Sequence, residues 1–396
     1  MRAASSLFAH YSFAKVTMEQ IATSLNMVPA ALYHYFNDKE ELIYSCYIQG
    51  LLNYEHEMQA AIEPGIDGLE IVRRFLRGRL KPESQHIVMF TDIDALPEKY
   101  SNQVHQQRWK NAEKLADIIK RGVADGSMTS DKPLLSAIAV ISIFDWLFFW
   151  YSKNDYYSRA DAIDAIDDII THGVYSRHKA IPEPPEAPCL EDFLATQKKF
   201  NKRETKYDHM LRVAADNFNR KGVMGASLES IAKDVGISRA GIYYHFDDKE
   251  ELLLACLQRG HDHEKEISAY LTNKGYKNDA HVIQNTRLLL MLHATPYGPK
   301  CTYHNINYLT KDCREKYICD VLKTIGSAQQ DYKNAIVEGD FRHIDVYFAQ
   351  RVITGMCHWY PIWFNSRSDW SPLTIADHYT HLFLYGLKPR KSTSRA

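Results

Sequence analysis

The chain has 396 residues, of which 45% are hydrophobic and 24% charged, and a formal net charge of −1. This is an ordinary globular composition, with room for two to four domains. A near-neutral balance excludes a uniformly basic nucleic-acid binder, so any basic surface must be local. Seven scattered cysteines in a chain without a signal peptide read as reduced thiols of a cytoplasmic protein.

In chain order, residues 17–42 read TMEQIATSLNMVPAALYHYFNDKEEL. Thr17 precedes a short apolar-faced helix, Asn26 stands at the turn, and Pro29 fits the first position of a second short helix. Val28 leaves that helix without a capping side chain, a loss of about 1 kcal/mol. Residues 134–151, LLSAIAVISIFDWLFFWY, are long and apolar enough to raise a membrane question. Asp145 inside the run argues instead for a central buried helix. Ile163, Ile166, Ile170 and Val174 give the next helix an apolar face.

Residues 181–188, IPEPPEAP, hold four prolines and predict a semi-rigid extended spacer at a domain boundary. The basic run KKFNKRETK (198–206) follows, readable as a phosphate-contacting arm or as a solvated helix face. A helix is predicted over roughly 203–220. Residues 227–252 then read SLESIAKDVGISRAGIYYHFDDKEEL. Ser227 caps a helix that Gly236 ends, and Ser238 caps a second carrying Arg239, Ala240, Tyr243, Tyr244 and His245. Carboxylates and Lys249 open a third. Two short helices around such a turn are a helix-turn-helix, whose second helix enters the DNA major groove. Arg239 is placed to read guanine, and Lys249 suits a phosphate. Val346–Phe364 predicts one long buried helix, and Ser371-Pro372 starts a final amphipathic one.

The two helix-turn-helix blocks align without a gap 210 residues apart, and the tails align again 213 apart, pairing Trp146 with Trp359 and Gly173 with Gly386. The chain is a tandem duplication. Residues 1–50 hold three Lys/Arg against four Asp/Glu, net −1, whereas residues 198–260 hold twelve against nine, net +3. Phosphate electrostatics dominate DNA affinity, so the second head is expected to bind more strongly. By alignment Met1 falls inside the helix that precedes the motif, so either the true start lies upstream or the first helix is short.

The second block resembles the DNA-binding domain of the tetracycline-repressor (TetR) family. It has the capped helix at Ser227, Ile231-Ala232, the Gly236-Ile237-Ser238 turn, Gly241 to Phe246, and Lys249-Glu250-Glu251-Leu252. The resemblance implies an all-α fold of two tandem units, each a helix-turn-helix head and a helical ligand-binding and association body. The expected divisions are 1–46 and 203–256 for the heads, 47–178 and 257–390 for the bodies, and 179–202 for the linker. It implies double-stranded operator DNA as partner, with DNA contacts at Ser227, Ser238, Arg239, Ala240, Tyr243, Tyr244, His245 and Lys249. The matching first-head positions are Thr17, Pro29, Ala30, Tyr33, His34 and Lys39.

It also implies a small-molecule effector and a regulator, expected to be a repressor, that leaves its operator when the effector binds. The Gly339–Phe341 stretch and the tryptophan-rich ending at Phe364 look like the branch responding to acyl-CoA and lipid-derived ligands. Trp146, Trp150, Arg351, Trp359 and Trp363 are the ligand-site candidates; the competing reading of the tryptophans is core packing. The two repeats are expected to pair as an intramolecular pseudo-dimer, a further homodimer being left open, with Asp145 and His358 meeting across the axis. Cys301-x-x-His304 and His261-x-His263 lack zinc spacing. With no metal motif, phosphate loop or nucleophile–base pair, neither an enzyme nor a cofactor is expected. The alternative function is a ligand- or protein-binding regulatory module whose duplicated heads have partly lost DNA binding.

Overall fold

The computed structural model describes residues 16–79, 93–151, 157–183, 185–196, 205–295, 297–298, 300–367 and 369–390, with Ala4 and Leu7. Most of the expected short first helix and residues 198–204 of the basic run lie outside the described residues.

The described chain is helical. The first head holds α1 (Met18–Ser24), α2 (Pro29–Tyr33) and the start of α3 (Lys39–Ala60). Its body adds α4 (Gly68–Arg79), α5 (Glu98–Ala124), α6 (Pro133–Tyr151) and α7 (Arg159–His172). After the linker helix α8 (Leu190–Thr196), the second head comprises α9 (Lys206–Gly225), α10 (Leu228–Val235), α11 (Arg239–Tyr243) and the start of α12 (Lys249–Asn273). The second body adds α13 (Asn278–His293), α14 (Lys311–Val337), α15 (Val346–His358), α16 (Tyr360–Arg367) and α17 (Pro372–Tyr385). Each head shares a continuous helix with its body, α3 or α12, so the expected limits at residues 46 and 256 fall mid-helix.

Local chemistry sets the helix ends. Thr17 and Gln20 form a reciprocal capping box at α1. Ser227 and Ser238 accept from the Ser230 and Gly241 amides, and Asp38 and Asp248 cap α3 and α12. Gly236 (φ 79°) and Asn26 (φ 54°) take the left-handed turn position, and Val28 makes no capping bond.

Two expectations need correction. Val346–Phe364 is not one helix. It breaks at Trp359 into α15 and α16, because Pro361 has no N–H for the ladder. Nor is the proline-rich linker merely a spacer. Arg287 donates to the Pro185 carbonyl at 2.6 Å and Gln284 to that of Glu186 at 2.7 Å. In α8, Phe193 is fully buried, edge-on to Tyr270 at 5.4 Å. The linker is pinned to the second body.

The two repeats meet through α6, α7, α15 and α17, with α6 against α15 the most extensive contact, and through α9 of the second head on Ile93–Ala95 of the first body. The backbone contacts are reciprocal. The Val174 amide donates to Phe383, and its counterpart Leu387 donates to Ile170. Tyr175 donates to Leu384, and its counterpart Lys388 to Thr171. Gly173 and Gly386 lie at this seam with φ of 68° and 71°. A Cβ on Gly173 would collide with the Leu384 carbonyl, and one on Gly386 with that of Thr171. One apolar cluster runs from the first head through the first body into α15 and α17.

Asp145 and His358 do not pair. The Asp145 carboxylate accepts from Tyr54 Oη at 2.6 Å and from Arg108 at 3.1 Å, both in its own repeat. His358 instead packs on the ring of Trp146, centroids 4.3 Å apart. Partners near at hand satisfy the carboxylate before the axis is reached. Among the described residues no helix is long and apolar enough to cross a membrane, α6 included.

Candidate DNA-reading heads and effector cavity

In the second head, α11 projects from the surface with Arg239, Ala240, Tyr243, Tyr244 and His245 all exposed. Tyr244 is 85% exposed, its ring edge-on to His245 at 5.1 Å. Arg239 is free of the core but not of neighbours. Its guanidinium meets Glu229 at 3.1 Å and lies 5.5 Å from the Tyr243 ring. Tyr243 Oη donates to the same Glu229 oxygen at 3.4 Å. Glu229 thus holds the arginine and the tyrosine on one face. Ser227 and Ser238 are exposed at the two helix starts, their side chains engaged as caps. Lys249 is less available than its sequence position suggests. Its Nζ donates to the Ala226 carbonyl at 3.0 Å, and burial lowers its pKa.

The first head repeats this frame with different chemistry. Ala30, Tyr33 and His34 are exposed, and Pro29 and Lys39 are half-buried. Thr17 is engaged in its capping box. Val28, where Ser238 stands in the other head, is 66% exposed and Tyr35 is 73% exposed. Pro29 occupies the arginine's place, so α2 presents no cation of its own.

A cavity of about 840 Å³ opens in the second body between α12, α13, α14 and α15. That is ample for a drug-sized or lipid-like molecule. Val282, Leu289, Val321 and Ile353 supply apolar wall, and Glu264, Lys300 and Tyr303 gather at one polar region. Glu264 is ion-paired with Lys300 and accepts from Tyr303 Oη at 2.9 Å. Burial alone would raise its pKa, but Lys300, His261 and Tyr303 outweigh it and hold the carboxyl down to about 2. Burial drives His293 down to about 3 and keeps His358 neutral as well.

Of the ligand-site candidates, Trp146 and Arg351 line this cavity. Trp146 comes from the first repeat, so both repeats build the wall. Arg351 donates to the Tyr347 carbonyl at 3.2 Å and stacks on that ring. Trp359 lies off the cavity, buried, with its ring on His304 at 5.5 Å. Trp363 packs edge-on to Tyr360. The side chain of Trp150 lies outside the described residues. Sequence reasoning missed Glu264, Lys300 and Tyr303. They share no motif, and only the fold brings Glu264 to partners 36 and 39 residues further along.

Comparison with known proteins agrees with this layout. The profile of bacterial regulatory proteins of the tetR family matches residues 1–46 and 210–256. The tetracyclin repressor-like C-terminal domain matches residues 69–174 and 299–387. The HTH-type transcriptional regulator AcrR of Shigella flexneri is 42% identical over 59 residues, 15% of this chain and 27% of AcrR. The biofilm operon icaADBC negative transcriptional regulator IcaR of Staphylococcus epidermidis is 42% identical over 45 residues, 11% of this chain and 24% of IcaR. The chain thus spans about a quarter of the length of these relatives. The crystal structure of the TetR-family regulator PfmR from Thermus thermophilus aligns at 25% identity and a TM-score of 0.38, covering 42% of this chain and 94% of PfmR. With head and body profiles each matching twice, this chain belongs to the TetR family of transcriptional regulators, as two tandem all-α units.

Proposed function

We propose that the chain is a cytoplasmic repressor that acts as a one-chain pseudo-dimer. Its two heads read two half-sites of one double-stranded operator, and a small hydrophobic ligand in the second body releases it. The observation that carries this reading is the reciprocal seam. Bonds from Val174 and Leu387, and from Tyr175 and Lys388, join equivalent positions of the two repeats. Such two-fold pairing is how two copies of one unit associate. Here both copies lie on one polypeptide. Paired heads suit half-sites about one helical turn apart. Because α11 carries Arg239 and α2 carries Pro29, the half-sites should differ in sequence. The negative sign of regulation is supported by the similarity over 45 residues to IcaR, a negative regulator.

The effector part rests on the second-body cavity, whose lining is largely apolar with polar groups that include Glu264, Lys300, Tyr303 and Arg351, and suits an acyl or other lipid-derived molecule. Ligand binding would bias the heads between a groove-compatible and an incompatible spacing. The test is a footprint on operator selected from random DNA, with the mass of the complex measured alongside. One 45.7-kDa chain covering two unlike half-sites supports the proposal. A footprint of one half-site per chain would sink it.

A further inference from the structure

The two bodies differ most where their interiors should be alike. In the first, Arg79 is wholly buried, ion-paired with Glu57 at 2.8 Å and stacked 3.6 Å above the Tyr54 ring. Tyr54 donates to Asp145, and Asp145 meets Arg108. These side chains from α3, α4, α5 and α6 fill the middle of the body.

The repeats align 210 residues apart through α4, as the matched turns at Gly65 and Gly275 (both φ 85°) confirm. Helices α5 and α14 match end to end 213 apart. On that alignment, Tyr54, Arg79, Arg108 and Asp145 correspond to Glu264, Leu289, Val321 and His358. All four of these line the second-body cavity. Two arginines have become Leu and Val, which withdraws both guanidinium groups and leaves open space. The Glu264 charge survives at the edge of that space because Lys300 pairs with it.

We infer that one chain takes one effector, in the second body only, and that the first body is closed by its own side chains. This rests on the effector reading above. Admitting a ligand to the first body would mean separating a fully buried arginine from its carboxylate and leaving both unpaired, which is strongly unfavourable. Of the four matching positions in the second body only Glu264 carries a charge, and its ion pair with Lys300 stands in the cavity wall. The occupant is a largely apolar molecule with a polar group that hydrogen-bonds near Glu264, Lys300 and Tyr303. The closed body still senses it. Trp146 of the first repeat stands in the cavity wall against His358 and adjoins Asp145 in sequence.

The test titrates the full chain with 8-anilinonaphthalene-1-sulfonate, an apolar ring system with an anionic head, following probe fluorescence and quenching of tryptophan. One saturable probe per chain is expected. Leu289→Trp and, separately, Ala328→Phe should fill the cavity and reduce that binding at least tenfold, with helical content and melting unchanged. Two probes per chain, or saturable binding that survives whichever filling variants remain folded, would overturn the inference. Wild-type protein with no saturable binding would instead overturn the effector reading itself, and is recognisable because the filled variants would then behave like wild type.

Discussion

Arg177 and Arg390 hold the same position in the two repeats, and each reaches across the seam to the residue beside the other. Arg177 donates to the Pro389 carbonyl at 2.7 Å, and Arg390 donates to that of Ser176. Burial lowers the pKa of both, and for Arg177 the charge of Arg390 adds to the effect. Two like charges are thus held near one another by what they donate to.

That arrangement makes their removal non-additive. Arg177→Ala and Arg390→Ala should each destabilise by about 1 kcal/mol, since each loses part-exposed hydrogen bonds. Each single loss also relieves the repulsion felt by the remaining arginine. The double variant gains that relief only once, so it should cost more than the two singles together. Urea unfolding of the four proteins measures this; strict additivity would mean that the two charges do not feel one another.

Gly173→Ala and Gly386→Ala should each cost about 3 kcal/mol or more. Both residues sit at positive φ, and an added Cβ meets the opposing backbone, which cannot step aside. The thermal melt should fall by several degrees, and proteolysis in the linker should accelerate as the repeats separate. Gly65→Ala serves as the control. It has positive φ but open space around it, so it should show the strain alone, at about 1 kcal/mol.

The heads should respond unequally. Arg239→Ala is expected to weaken sequence-specific binding by about 1–3 kcal/mol if the arginine reads a guanine. Pro29→Ala and His34→Ala should matter less. Glu229→Gln should lessen the hold on Arg239, strengthening non-specific binding while lowering discrimination between operator and random DNA. Equilibrium binding at two salt concentrations decides it. First-head losses as large as that of Arg239→Ala would show that both heads carry recognition.

Acid should destabilise the fold. Burial depresses the pKa of His293 and His304 to about 3 and of His378 to about 4, against about 6.5 unfolded. The unfolded chain therefore binds more protons between about pH 4 and 6.5. Stability is full above that window and declines as pH falls through it, at up to about 1.4 kcal/mol per pH unit for each histidine. His304 stacks on Trp359, so His304→Phe should keep the packing and flatten the decline. Melting temperatures at pH 7 and pH 5 provide the comparison; an equal drop in the variant would clear His304 of the effect.

Local signals were readable along the chain because they act over three or four residues. Ser227, Ser238, Gly236 and Asn26 set the turns that their side chains or backbone freedom allow. The bare cap at Val28 was visible for the same reason. The break at Trp359 was also within reach, but the apolar run around Pro361 hides it. Asp145 was harder. Its partners lie 91 and 37 residues away on other helices, and no spacing rule finds them. The linker misled because its prolines announce an extended backbone but say nothing of what that backbone docks against. The cavity was invisible for a related reason. It is defined by what Leu289 and Val321 do not fill, and an absence of volume has no motif.

The unbroken run of α12 from head to body gives that cavity mechanical advantage. Lys249 stands at the head end and Glu264 at the cavity, fifteen residues apart on one rod, about 22 Å at 1.5 Å per residue. If the rod pivots where the cavity grips it, a tilt of about 5° moves its far end by about 2 Å, more than half the length of a hydrogen bond. On the proposed function, a ligand that leans on the helix would carry the exposed face of α11 out of register with its half-site.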